Sequence, residues 1–128
     1  MQPTLLCWNL PEDCAGRVRY LCLRLGLRSV TVTASACRRP LQELTASPPA
    51  PDGEPLPFAD TMLLMCGFSQ AQFHGFLDGW KTQGLPPVPL KAVLTAHNRR
   101  WDSLRLHEEL LGEAAALGGR KEQAGPGA

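Results

Sequence analysis

Thr61-Met-Leu-Leu-Met-Cys-Gly-Phe-Ser-Gln-Ala-Gln-Phe73 opens the stretch on which the reading of this chain turns, and Pro89-Leu-Lys-Ala-Val-Leu-Thr-Ala-His-Asn-Arg-Arg-Trp101 closes it. Thr61–Cys66 is a short, wholly apolar run, which predicts a strand buried on both faces. Ser69 followed by Gln72 is an S-x-x-Q capping box, so a helix starts there with two orphan amides satisfied reciprocally. Phe73, Phe76, Leu77 and Trp80 recur at i, i+3, i+4 and i+7 and give that helix an aromatic face for the core. Gly84 ends it, and the prolines of 86–89 form a hinge. Leu90–Thr95 reads as a second strand. Asp102 then caps a final helix expected from Ser103 to about Leu117.

The N-terminal half follows the same plan. Thr4–Asn9 is an apolar run bounded by Pro3 and Pro11 and is expected as a buried strand. Pro11, Glu12 and Asp13 suit the positive end of a helix, whose stripe is Cys14, Val18, Leu21, Cys22 and Leu25. Gly26 ends that helix. Ser29–Ala34 alternates as a half-exposed strand, and a helical turn is expected from Pro40. At an offset of 58 residues Leu5-Leu6 meets Leu63-Leu64, Val18 meets Phe76, Cys22 meets Trp80 and Gly26-Leu27 meets Gly84-Leu85. Four further residues in the hinge bring Thr33-Ala34 to Thr95-Ala96, and each half ends in an arginine pair, Arg38-Arg39 and Arg99-Arg100. An internal β-α-β duplication is the reading.

The expected fold is therefore α+β. The first strand of each unit, apolar on both faces, takes a central position, and the second strands, carrying Thr or Lys, take the edges. Two such units predict a ferredoxin-like βαββαβ sheet with an added C-terminal helix. The competing architecture is a small α/β sheet of parallel strands. One domain over residues 1–117 is expected, made of units 1–46 and 59–117. The Pro-rich linker 47–58 is read as extended and without a core contribution, and residues 118–128 as a disordered tail.

A net charge of +1 argues against a nucleic-acid or membrane-surface role, which draws on a basic excess. The chain has no apolar run of the roughly 18 residues that span a bilayer. Its five cysteines are odd in number, form no C-x-x-C pair and follow no signal-peptide pattern. They read as buried free thiols of a cytoplasmic protein.

Cys66-Gly67-Phe68-Ser69, the helix to Gly84-Leu85-Pro86, and Val88–Thr95 with Asn98 and Trp101 before a Leu- and Glu-containing helix resemble the bacterial domain of unknown function DUF3783. The resemblance covers about Met62–Leu111, and Leu90–Thr95 with Asn98 and Trp101 is its most specific part. It implies a bacterial protein with these element boundaries. It carries no activity and no cofactor.

Candidate sites come from the residues themselves. The turn Thr95–Trp101 joins a strand to a helix, a place where α/β folds present ligands. Asn98, Arg99, Arg100 and the first amides of the last helix form a candidate site for a small anion or a partner protein, with Trp101 as its aromatic part and Lys91 as added charge. The plain alternative is a turn shaped by Asn98, with Trp101 packed and the arginines solvated. Cys66, ending a strand before a helix N-terminus, is a weak catalytic candidate, with His97 or His74 as base. Its alternative is a structural thiol. His74, His97 and His107 lack metal-ligand spacing, and Gly75 and Gly79 suit close helix packing better than a phosphate loop. The expectation is a small non-catalytic binding or regulatory module near Asn98–Trp101. The rivals are a small enzyme using Cys66 or the His97/Asn98 loop, and a self-associating subunit such as a homodimer.

Overall fold

The computed structural model describes the backbone of residues 2–124 and the side chains of residues 2–116. It contains β1 (Thr4–Trp8), α1 (Glu12–Arg24), β2 (Arg28–Thr31), a 3-10 turn (Ala34–Ala36), α2 (Leu41–Ala46), β3 (Met62–Cys66), α3 (Gln70–Thr82), β4 (Leu90–Val93) and α4 (Ser103–Ala124). The local signals act where the residues place them. Ser69 and Gln72 exchange both hydrogen bonds of the capping box, and Asp102 Oδ1 accepts from the Arg105 amide at 2.9 Å. Gly26 and Gly84 carry the positive φ that ends α1 and α3. The last helix continues past Leu117 to Ala124; of the expected tail 118–128, residues 125–128 lie outside the described ones.

The fold is mixed α+β, a four-stranded sheet with four α-helices, in the order β2-β1-β3-β4. β1 and β3 are central and β2 and β4 are edges, as the apolar patterns require. The ferredoxin-like arrangement does not follow. That fold splits each β-α-β unit, setting a strand of the other unit between its two strands. Here β1 pairs directly and in parallel with β2, and β3 with β4. The two units meet antiparallel through β1 and β3, so the all-parallel alternative does not hold either.

The physical reason lies in the second layer of helices. β1 and β3 are buried at every position. Leu5, Cys7, Leu63 and Met65 face α1 and α3, through Val18, Leu21, Phe76 and Trp80. Leu6, Trp8, Leu64 and Cys66 face α2 and α4, through Leu41, Leu44 and Leu106. Both faces are therefore cores, and each buried aliphatic side chain contributes about 1.5–3 kcal/mol. A sheet covered on one side would leave half of these residues in water.

The halves correspond in detail. β1 and β3 have five residues each, α1 and α3 thirteen, and β2 and β4 four. β1 and β3 pair about Leu6 and Leu64, with Leu5 opposite Met65 and Cys7 opposite Leu63. The Val32 amide donates to the Cys7 carbonyl as the Leu94 amide donates to that of Met65. The arginine pairs sit one residue out of the register that relates the starts of α2 and α4.

The linker is not the idle segment expected. Leu56 and Phe58 pack onto the α2/α4 core, and Phe58 stacks on His107 with ring centroids 3.9 Å apart. Asn9 Nδ2 donates to the carbonyls of Phe58 and Asp60 at 2.8 and 3.1 Å. Asn9 needs a left-handed backbone, φ 54°, to reach them, a conformation Asn tolerates better than most residues.

Close approach of α1 and α3 explains the helical glycines of α3. A Cβ at Gly79 would lie 2.3 Å from Leu21 Cδ1, and one at Gly75 2.9 Å from Leu25 Cδ2. At Gly16 nothing lies within 4 Å of the added atom. Gly16→Ala should therefore raise stability in urea denaturation by up to about 1 kcal/mol, the helix-propensity gain. Gly79→Ala should lower it, since overpacking costs about 1–3 kcal/mol. In a Leu21→Ala background the sign at position 79 should reverse; an unchanged sign would show that the helices do not meet there.

Candidate functional site

The turn after β4 is built by Thr95 and Asn98. Asn98 Oδ1 accepts from the Thr95 amide at 2.9 Å and Nδ2 donates to the Val93 carbonyl at 3.0 Å. Thr95 Oγ1 accepts from the amides of His97 and Asn98, both at 3.2 Å. Asn98 is only 8% exposed, so its polar atoms are engaged within the protein. Trp101 packs against the α2/α4 core, with the Arg105 guanidinium 4.7 Å from its ring centroid and His97 edge-on at 5.2 Å.

Two of the first amides of α4 are also engaged. The Ser103 amide donates to the Cys37 carbonyl at 3.0 Å, and the Arg105 amide to Asp102. In return the Leu41 and Gln42 amides at the start of α2 donate to the carbonyls of Trp101 and Arg99, at 2.8 and 3.0 Å. Each helix start is thus satisfied by the turn of the other half. Ser103 Oγ, fully buried, accepts from Trp8 Nε1 at 2.9 Å. Arg99 and Arg100 are exposed beside this assembly.

Lys91 lies elsewhere. It is paired in register with Leu63, whose side chain belongs to the α1/α3 face, whereas Trp101 packs on the α2/α4 face. The five expected ligand residues are therefore divided by the sheet. Lys91 instead borders a hollow of about 360 Å³ between α3 and β4, with Lys81 as a second cation and Phe76, Leu77, Trp80 and Leu85 among its apolar lining. No acidic residue lines it. Among the described residues neither lysine forms an ion pair. A neighbouring hollow of about 450 Å³, sharing Trp80, Pro87 and Val88, is lined by Asp60 and carries no cation.

The sequence reading missed Lys81 and assigned Trp80 to the core alone. A signal existed: Leu77 and Lys81 are four apart on one edge of the α3 stripe. What it could not supply was the strand beside that edge. Trp80 Nε1 also donates to the Pro86 carbonyl at 2.8 Å, and so holds the hinge residue next to the hollow.

Cys66 is fully buried on the α2/α4 face, its Sγ directed to the Leu64 carbonyl at 3.7 Å. Burial pushes its thiol up to about 12. His74 is on α3, which covers the opposite face. Burial likewise raises Cys22 to about 11, and Cys7 further, with Cys22 adding to it. All five cysteines are free and buried. Among the described residues no group of three His, Cys, Asp or Glu could hold a metal ion, and no helix is long and apolar enough to cross a membrane.

The architecture defines the class first: a small α+β domain of two facing β-α-β units with helices on both sides of one sheet. Residues 61–117 match the family model Domain of unknown function (DUF3783), so the resemblance of this segment is to that family. The match begins at β3 and runs through α3 and β4 into α4. No curated protein and no solved structure matches the chain.

Asn98→Ala should cost about 2–3 kcal/mol in denaturant unfolding, since it strips partners from the Thr95 amide and the Val93 carbonyl. Arg99→Ala and Arg100→Ala should stay within about 0.5 kcal/mol. Equal losses at all three positions would contradict this division of labour. With a thiol near 12, the Cys66 thiolate fraction at pH 8 is on the order of 10⁻⁴. Iodoacetamide should therefore modify Cys66 only on unfolding; labelling of the native protein, located by peptide mass, would contradict the assigned burial.

Proposed function

We propose that the protein is a small non-catalytic binding module, and that its ligand is a small anion with an apolar body seated between α3 and β4. The observation that carries this reading is the pairing of Lys81 and Lys91 over an apolar lining without an acidic residue. A hollow of about 360 Å³ is within the range of small-molecule sites, which are mostly apolar with a few oriented polar groups. Two ammonium groups at its border select a carboxylate or a sulfonate, and Phe76, Leu77 and Leu85 select an alkyl or aryl body. This keeps Lys91 from the residues expected to bind ligand. Asn98 and Trp101 become the frame that sets the end of β4, and Arg99 and Arg100 remain solvated.

Two further elements belong to the same reading. The halves are copies of one β-α-β unit, because the lengths of both strands and of the helix between them agree, as do the pairing registers. The five buried thiols favour the bacterial cytoplasm as the working compartment.

Isothermal titration with decanoate should show binding, with 1-decanol markedly weaker. Lys81→Ala and Lys91→Ala should each weaken decanoate by about tenfold, the equivalent of one charge-assisted hydrogen bond. Arg100→Ala should leave it unchanged. No binding of decanoate at millimolar concentration, or wild-type affinity in both lysine variants, would overturn the reading.

A further inference from the structure

The two edges of the sheet differ in what lies beside them. β2 and β4 each have a single neighbour in the order β2-β1-β3-β4, so each leaves a row of main-chain groups on its outer side. Beside β2 that row is screened: Pro48, Pro49 and Pro51 of the linker line a shallow hollow together with Ser29, Val30 and Thr31. Prolines lack an N–H and so cover an edge without extending the ladder. Among the described residues no segment pairs with the outer side of β4. The Leu94 amide donates to the Met65 carbonyl at 2.9 Å. By the alternation of a strand, Leu90, Ala92 and Leu94 then direct their main-chain groups to β3, and Lys91 and Val93 direct theirs outward. The Val93 carbonyl accepts from Asn98 Nδ2 at 3.0 Å. The Lys91 amide and carbonyl and the Val93 amide are left for a further strand. The Val93 side chain, on the same face as Lys91, is 43% exposed.

We infer that this edge takes the C-terminal end of an extended peptide as a fifth strand, antiparallel to β4. Its last side chain, apolar, enters the hollow between α3 and β4, and its terminal carboxylate meets Lys81 and Lys91. The inference rests on the reading of that hollow as an anion site and names what carries the carboxylate. Charge sets the direction. The hollow lies at the N-terminal end of β4, where Lys91 borders it and Pro87 and Val88, which lead into the strand, form part of its wall. A chain end placed there meets two ammonium groups and no acidic residue, so a carboxyl end is attracted and an amino end repelled. A peptide whose last residue sits at that end, and whose earlier residues lie beside Val93, runs antiparallel to β4. In that sense Lys91 exchanges both of its main-chain hydrogen bonds with one peptide residue, and the Val93 amide adds a third. Main-chain bonds supply affinity, and the hollow supplies selectivity for the last side chain. A second copy added through its own β4 fits this edge less well, because it would bring Lys81 and Lys91 of both copies to one seam with like charges together.

The test uses an N-acetylated hexapeptide of alternating threonine and valine that ends in leucine, as the free acid and as the C-terminal amide. Isothermal titration of the full chain should show the free acid binding and the amide at least about tenfold weaker, since the amide lacks the charge. Lys81→Ala and Lys91→Ala should each weaken the free acid by about tenfold and narrow its advantage over the amide. Hydrogen exchange read residue by residue by NMR should slow by about tenfold or more at the Lys91 and Val93 amides when the peptide is saturating, and not when decanoate is. The same spectra verify that each variant is folded. Decanoate that binds while the peptide does not overturns this inference alone; failure of both removes the reading of the hollow with it. Equal affinity for acid and amide, or binding without slower exchange at these two amides, also overturns it. So does protection of the same amides in peptide-free protein that grows with protein concentration, which would assign the edge to a second copy.

Discussion

The antiparallel pairing of β1 with β3 is the constraint from which the rest of the molecule follows. Both strands are five residues long and buried at every position, so each must be covered on two faces and paired on two edges. Neither half can meet that demand alone. A single β-α-β unit would leave the open edge of its first strand in water, with a row of unpaired amides and carbonyls beside apolar side chains. Joining the first strands about Leu6 and Leu64 removes both open edges together. It places two helices on each side of the sheet. It also sends β2 and β4 to the outside, where their mixed composition is tolerated.

The same pairing accounts for the frame around Asn98. Once the halves face each other, the starts of α2 and α4 meet the turns of the opposite half. Cys37, Arg99 and Trp101 then offer carbonyls to amides that would otherwise lack partners. The fully buried Trp8–Ser103 hydrogen bond fastens β1 to α4 in the same region. Such cross-capping explains why a strand-to-helix junction, in many α/β proteins a place for ligands, serves here as a joint. It also directs attention to the other face, where α3 is followed by a proline hinge and β4 leaves a hollow bordered by two lysines.

Residues 61–117 match the family model and form a nearly complete unit of strand, helix, strand and helix. The first half supplies the partner strand that this unit needs. It also brings the linker, which reaches over α4 through Phe58 and His107. The function proposed for this arrangement is recognition, and it rests on a charged border above an apolar lining.

The sequence by itself determined the local structure. The Ser69–Gln72 box, the glycines at 26 and 84, the Asp102 cap and the apolar runs at Thr4–Trp8 and Met62–Cys66 act through neighbours a few residues away. It also assigned central and edge strands, because burial on both faces is legible as an uninterrupted apolar run. Only the tertiary structure decided how the units combine. The apolar pattern of a β-α-β unit is the same whether its strands are adjacent or split, and the choice depends on what α2, α4 and the linker cover. The site followed the same rule. Lys81 and Lys91 border one hollow because α3 lies beside β4. Lys91 and Trp101 are parted because Lys91 sits in β4 on the face that α3 covers, whereas Trp101 lies in the turn that leads to α4 and packs on the other core, and the fold had first to place a core on each.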